Sequence, residues 1–194
     1  METTIHSKDT IINLIRKVAS LRLKQYLMNS QIAIGEISLP QSFVLDYWTA
    51  IILVAGPTFR LTFKVHFNSK LIQNIRADGQ MSGNTTGSGS SNNEIGDFVK
   101  EYCNITAGYL RAALEKVGVT AGTSLPFVTR GFDHAFSVDK DTPTVFHDTW
   151  CFNIAGRKLN CSFDFEILES DIIKHLELLQ KSTFLDTIDI EIFK

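Results

Sequence analysis

Charge of one sign, cysteine and long apolar runs are all scarce in this sequence, and each scarcity removes a class of function. Its 194 residues hold 19 Lys and Arg against 21 Asp and Glu, a net charge of −2. A chain so near neutral has no general field to attract nucleic acid or an anionic membrane, partners usually met by a basic excess or patch. The longest basic cluster, Arg16-Lys17 to Arg22-Lys24, is sparse. No uninterrupted apolar run approaches the roughly 20 residues of a membrane span, and Met1 to Asp9 lacks the apolar core and small residues of a secretion signal. A cytoplasmic location is the expectation. Three cysteines without a C-x-x-C pair supply neither a disulfide framework nor a zinc site. Cys103, Cys151 and Cys161 are expected as reduced core residues, the last two facing each other across a hairpin. His6, His66, His134, His147 and His175 show no metal-ligand spacing, so no metal is expected. Ser42, Ser124 and Ser162 lack a Gly-x-Ser-x-Gly elbow, and Gly83 to Gly89 lack the Lys-Ser/Thr of a phosphate-binding loop.

What is present reads as one globular domain over 1–194, 44% hydrophobic and long enough to bury a substantial core. In the N-terminal segment 1–30, Ile11, Ile12, Leu14, Ile15, Val18, Leu21 and Leu23 recur near a 3.6 period. This predicts a helix over 9–29 capped by Asp9. Tyr47 to Val54 is β-branched, aromatic and almost uncharged, and Ala55-Gly56-Pro57 signals a turn. Phe59, Leu61, Phe63, Val65 and Phe67 then alternate with Arg60, Thr62, Lys64 and His66, the mark of an antiparallel strand with one face on a core.

Residues 78–93 are too polar and rich in Ser and Gly to order themselves by burial, and a flexible loop is expected there. The longest helical pattern follows at 94–117, with Asn92 or Asn93 as its cap and Gly118 as its stop. Leu125 to Thr129 reads as a short extended piece. A second hairpin spans about 144–154 and 159–167 around a turn at Ala155-Gly156-Arg157, and Ser170 opens a C-terminal helix over 170–181. Trp48, Trp150 and most of the 14 phenylalanines follow strand periodicity and read as core. The order helix, hairpin, loop, long helix, hairpin, helix gives two loosely equivalent halves. The expected fold is α+β, an antiparallel sheet of paired hairpins with long helices packed on one side.

At about 100° per residue, Asp97, Glu101, Asn104 and Gly108 share one face of the long helix, opposite its apolar residues. A solvated face accounts for most such stripes. Two residues argue against it here. Asn in mid-helix competes for backbone hydrogen bonds, and Gly108 costs about 1 kcal/mol relative to Ala. A small residue beside a carboxylate and an amide lets another surface approach closely, so the stripe has the form of a docking or reaction surface.

Asp97-x3-Glu101-x2-Asn104, followed by Gly108 and, with 21 residues between it and Asn104, by Pro126, resembles the signature of the CheC/CheX/FliY phosphatases, with Asn-x3-Gly shared with the CheX-like branch. The interval to the proline is one residue shorter than the family's usual one. The resemblance covers roughly 35–170. A competing register, Glu94-Ile-Gly-Asp97, puts a second carboxylate where the amide belongs. It would repel a phosphoryl group and has no NH2 to donate.

The resemblance implies a CheX-like fold and a substrate, the phospho-aspartate of a CheY-like receiver domain that brings its own Mg²⁺, so that this chain needs no cofactor. Asn104 would orient the attacking water and Glu101 would pair with the receiver's lysine, while Asp97 would be a peripheral contact and Pro126 would shape the loop beyond the helix. These residue types suit those roles, since an amide donates and accepts at once and a carboxylate anchors a cation. A homodimer formed through the sheet is a further expectation, raised by the nearly apolar strand before Gly56. Two alternatives stand beside the phosphatase: a non-catalytic module for receiver binding or dimerisation on the same fold, and an unrelated dimer domain with a fortuitous Glu-x2-Asn.

Overall fold

The strict alternation at 59–67 and 159–167 builds the centre of the sheet. In the computed structural model, which describes residues 2–27, 32–35, 47–68, 70, 92–130, 145–154 and 157–181, β3 (Phe59–Asn68) and β7 (Arg157–Ile167) pair antiparallel with Phe63 opposite Phe163. Outside them lie β2 (Tyr47–Ala55), paired with β3, and β6 (Val145–Ile154), paired with β7. β1 (Ile32–Gly35) completes one edge beside β6. β4 (Gly122–Thr123) and β5 (Phe127–Arg130) share the other edge beside β2. Among the described residues the result is one seven-stranded sheet of order β1-β6-β7-β3-β2-β4, with β5 following β4 along β2.

Helices α1 (Glu2–Tyr26), α2 (Asn92–Lys116) and α3 (Asp171–Lys181) supply the second layer. The two halves foreseen from the element order interlock. Each runs helix, short edge strand, hairpin, and each edge strand pairs with the other half's hairpin: β1 with β6, and β5 with β2. Neither half completes a sheet alone. None of the described helices is long and apolar enough to cross a membrane.

The three described helices cover the face that carries Phe63 and Phe163, which is the α+β arrangement expected. Ile15 and Leu23 of α1, Leu110 and Leu114 of α2, and Leu176 of α3 are as buried there as the strand residues beneath them. Phe63 meets Tyr102 edge-on at 6.3 Å between ring centroids and stacks on Trp150 at 6.2 Å. Tyr102 is fully buried, and its hydroxyl donates to the Ala19 carbonyl at 2.9 Å, so α2 is tied to α1 by the polar handle of a core side chain. Asp148 lies on this apolar face, and α1 supplies its partner. Arg16 forks onto the carboxylate, Nε at 2.6 Å and Nη2 at 2.7 Å, with its guanidinium 5.8 Å above the Trp150 ring.

Several expectations need correction. Helix α1 starts at Glu2, so Asp9 is an interior residue rather than a cap. Nothing between Glu2 and Asp9 breaks a helix, and a capping side chain without a breaker does not enforce a start. Cys151 and Cys161 do not face each other. Cys151 pairs with Asn160 and Cys161 with Trp150, which places the two thiols on opposite faces of the sheet. A three-residue turn would have matched Cys151 with Cys161. Ile154 instead pairs with Arg157, and the one-residue slip turns every side chain over.

The polar side of β3 is only partly exposed, with Arg60 in solvent and the residues beyond it largely covered. Lys64, Thr62, Ser162 and Asp164 are buried, and Lys64 Nζ lies 3.0 Å from Asp164 Oδ2. Strand β2 owes its apolar character to its place between β3 and the β4–β5 edge, since Ile51 and Ile52 on its two faces are both buried. The Ser/Gly stretch 78–91, the turn 155–156, His134 and Ser42 lie outside the described residues.

Two glycines define how the chain turns. Gly118 ends α2 with φ 86°, its amide donating to the Glu115 carbonyl at 3.0 Å and the Val119 amide to the Leu114 carbonyl at 3.0 Å, a left-handed stop as foreseen. Gly56 sits in the β2–β3 turn, where a Cβ would lie 2.4 Å from the Thr120 carbonyl oxygen and 3.1 Å from the Phe59 ring. Gly56→Ala is therefore expected to destabilise the domain by about 1–3 kcal/mol, the usual range for overpacking. Thermal unfolding should show a loss of several degrees, and an unchanged midpoint would mean that the turn moves freely.

Candidate functional site

The apolar residues of α2 fix which side of it remains outside. Phe98, Val99, Tyr102, Cys103, Thr106, Ala107, Leu110, Ala113 and Leu114 are buried, whereas Asp97, Glu101 and Asn104 are exposed and Gly108 is half-buried on the opposite side. The four polar-stripe residues thus come together as the spacing required.

Their neighbours divide them. Asp97 is engaged, its Oδ1 3.5 Å from Lys100 Nζ, and beyond Gly108 the Arg111 Nε lies 3.3 Å from Glu115 Oε1. Among the described residues Glu101 and Asn104 have no hydrogen-bond or ion-pair partner. An exposed carboxylate and amide, one turn apart and uncommitted, are free to bind what arrives. At Gly108 an added Cβ would meet nothing within 4 Å, so the chain's own packing does not require glycine there. The open space is outward.

Helix α2 packs over β2, β4 and β5 and borders α1 on its other side. The α1 border is marked by Tyr102 and by Tyr109, whose ring carries the Arg22 guanidinium 3.0 Å from its centroid. Burial lowers the Arg22 pKa, opposed by the Tyr109 oxygen. By helical geometry Asn104 points outward and away from Tyr102 and Tyr109, on the side of α2 turned from α1.

Pro126 belongs to that edge. Thr123 pairs with Val54 and Phe127 with Ile51, so Ser124, Leu125 and Pro126 stand opposite only Leu53 and Ile52, an edge bulge. Proline suits it because it has no N–H to pair. Ser124 closes the bulge on Leu53. Its amide donates to the Leu53 carbonyl at 2.9 Å, its Oγ accepts from the Leu53 amide at 3.0 Å, and the same Oγ donates to the Leu125 carbonyl at 3.1 Å. In the sequence Ser124 reads only as a serine without a nucleophile elbow. Its structural role depends on a strand 71 residues away.

The remaining reactive groups are occupied elsewhere. Burial pushes the Cys103 thiol well up, so this neighbour of Asn104 stays protonated. His66 Nε2 lies 3.0 Å from Ser162 Oγ and its Nδ1 3.3 Å from Thr49 Oγ1, His147 Nδ1 lies 2.7 Å from Asp164, and His175 Nδ1 lies 2.6 Å from the Val117 carbonyl. No group of three or more His, Cys, Asp or Glu that could hold a metal occurs among the described residues.

The sequence model of the family described as "Chemotaxis phosphatase CheX" matches residues 48–149, just over half of the chain, a span that includes the stripe and Pro126. No curated protein matches in sequence. Among solved structures the fold is similar to the chemotaxis protein CheX of Vibrio vulnificus, with TM-score 0.56 and 13% identity over 81% of this chain and 99% of that one. It is also similar to a chain of the CheX-CheY-BeF3-Mg²⁺ complex of Borrelia burgdorferi, with TM-score 0.56 and 16% identity over 81% and 97%. Thermotoga maritima FliY matches with TM-score 0.53 and 19% identity over 89% and 94%.

Proposed function

The chain belongs to the CheX family of chemotaxis phosphatases, and from that premise we propose that it hydrolyses the phospho-aspartate of a CheY-like receiver domain. The observation that carries this reading is the pair Glu101 and Asn104, exposed and unpaired on one face of α2, with open space above Gly108 one turn further. A receiver against that face would meet the Glu101 carboxylate with its lysine. The Asn104 amide would accept from and donate to a water, holding it in line with phosphorus. The water's oxygen forms the new P–O bond, the bond to the aspartate oxygen breaks, and inorganic phosphate and a free carboxylate leave. Positioning suffices for such a transfer. Mg²⁺, which neutralises phosphoryl charge, would come with the receiver. Asp97, held by Lys100, is a peripheral contact, and Pro126 acts through the bulge.

The test is the decay of phosphorylated receivers from the same genome in excess Mg²⁺, with and without this protein. Faster decay of at least one receiver is the expected result. A folded protein that binds a receiver without hastening decay would instead be the non-catalytic module, a reading favoured by the shortened interval to Pro126. A folded protein to which no receiver responds or binds overturns both.

Gly108→Ala separates docking from folding. Replacing a mid-helix glycine stabilises α2 by about 1 kcal/mol, which for a chain of this size raises the unfolding midpoint by about 2–4 °C. The methyl group would stand where the receiver must approach. A variant with higher thermal stability and weaker receiver affinity is the expected outcome, and unchanged affinity would show that nothing comes close at Gly108.

A further inference from the structure

Leu125 is 87% exposed, although the backbone on either side of it is fixed by the sheet edge. Strands β4 and β5 bracket it, Ser124 ties the bulge to both backbone groups of Leu53, and the Ser124 hydroxyl holds the Leu125 carbonyl itself. Pro126 fixes the following φ. A bulge re-aims a side chain, and this one aims an apolar side chain into solvent on the sheet edge over which α2 lies. The stripe itself offers a partner only polar contacts. Polar contacts orient, whereas affinity comes mainly from a few buried apolar or aromatic anchors.

We propose that Leu125 is the apolar anchor of the receiver contact, inserted between partner side chains while Glu101 and Asn104 address the phosphorylated site, with Ser124 and Pro126 as the positioning residues that present it. The inference rests on the receiver reading and assigns this edge to the same partner. It gives the proline that follows Leu125 a physical task, holding a rigid bulge in a chosen direction, with no part in the chemistry.

The experiment compares wild type, Leu125→Asp and Leu125→Met in turnover of the responsive phospho-receiver and in binding of its beryllofluoride-activated form. Leu125 makes no core contact, so unfolding midpoints should agree, and circular dichroism checks this. Leu125→Asp is expected to raise KM and Kd about tenfold or more with kcat within twofold of wild type, and Leu125→Met to restore both. Wild-type affinity in Leu125→Asp overturns the proposal. So does a fall in kcat at unchanged KM, which would put Leu125 in the chemistry, and so does loss of self-association with receiver affinity intact, which would assign the edge to a second copy. If the wild type itself engages no receiver, the parent reading fails, an outcome seen before any variant is made.

Discussion

Replacing Asn104 by alanine is expected to slow receiver dephosphorylation by about 10²- to 10³-fold, the usual loss when a single positioned hydrogen-bonding group is removed from a transition state. Folding is not at stake. Asn104 is exposed, has no partner among the described residues, and sits where alanine is the better helix former, so the variant should be slightly more stable than wild type. Receiver binding should persist, because Glu101, Gly108 and the edge of the sheet are untouched. Asn104→Asp is the sharper control. It is nearly isosteric but has no NH2 and adds negative charge beside the phosphoryl oxygens, so it should be no better than alanine. Measured kcat close to wild type in either variant would remove Asn104 from the reaction and leave the helix as a binding surface.

The stripe was legible in sequence because it lies within one helix. Spacing alone converts Asp97, Glu101, Asn104 and Gly108 into a face, and the buried Phe98, Tyr102 and Leu110 set that face outward. Strands β3 and β7 were legible for the equivalent reason, a clean period of two, and β2 from its β-branched, aromatic and nearly uncharged run. What was hidden depends on partners distant in the chain. The bulge at Pro126 arises from the register of 122–130 against β2, and the four-residue β1 is too short to carry a period. The pairing of Cys151 turned on one residue in a hairpin turn. The polar side of β3 is legible as a face from its period of two, whereas the burial of Lys64 and Asp164 on it is not, because that depends on their pairing across two strands.

That pair makes the largest stability effect. Asp164→Ala is expected to destabilise the protein by about 3–5 kcal/mol at neutral pH, since it leaves the buried Lys64 ammonium without its carboxylate and also removes the His147 contact. Replacing both charges by apolar groups of similar size, as in Lys64→Met with Asp164→Leu, should recover most of the loss. The cost lies in separating a buried charge from its countercharge rather than in losing the pair. The pH dependence has a definite sign. Burial pushes the Asp164 carboxyl up, but hydrogen bonds from His147 and Lys64, together with their charges, outweigh it and hold the group below its ordinary 3.8. A carboxyl with a lowered folded pKa binds its proton more readily when unfolded. Its contribution is therefore complete above the unfolded pKa and fades as pH falls through the folded one. Urea unfolding of wild type and Asp164→Ala should thus differ most near neutrality and converge below about pH 4. A gap that stays constant into acid would mean that Asp164 stabilises the sheet by its packing alone.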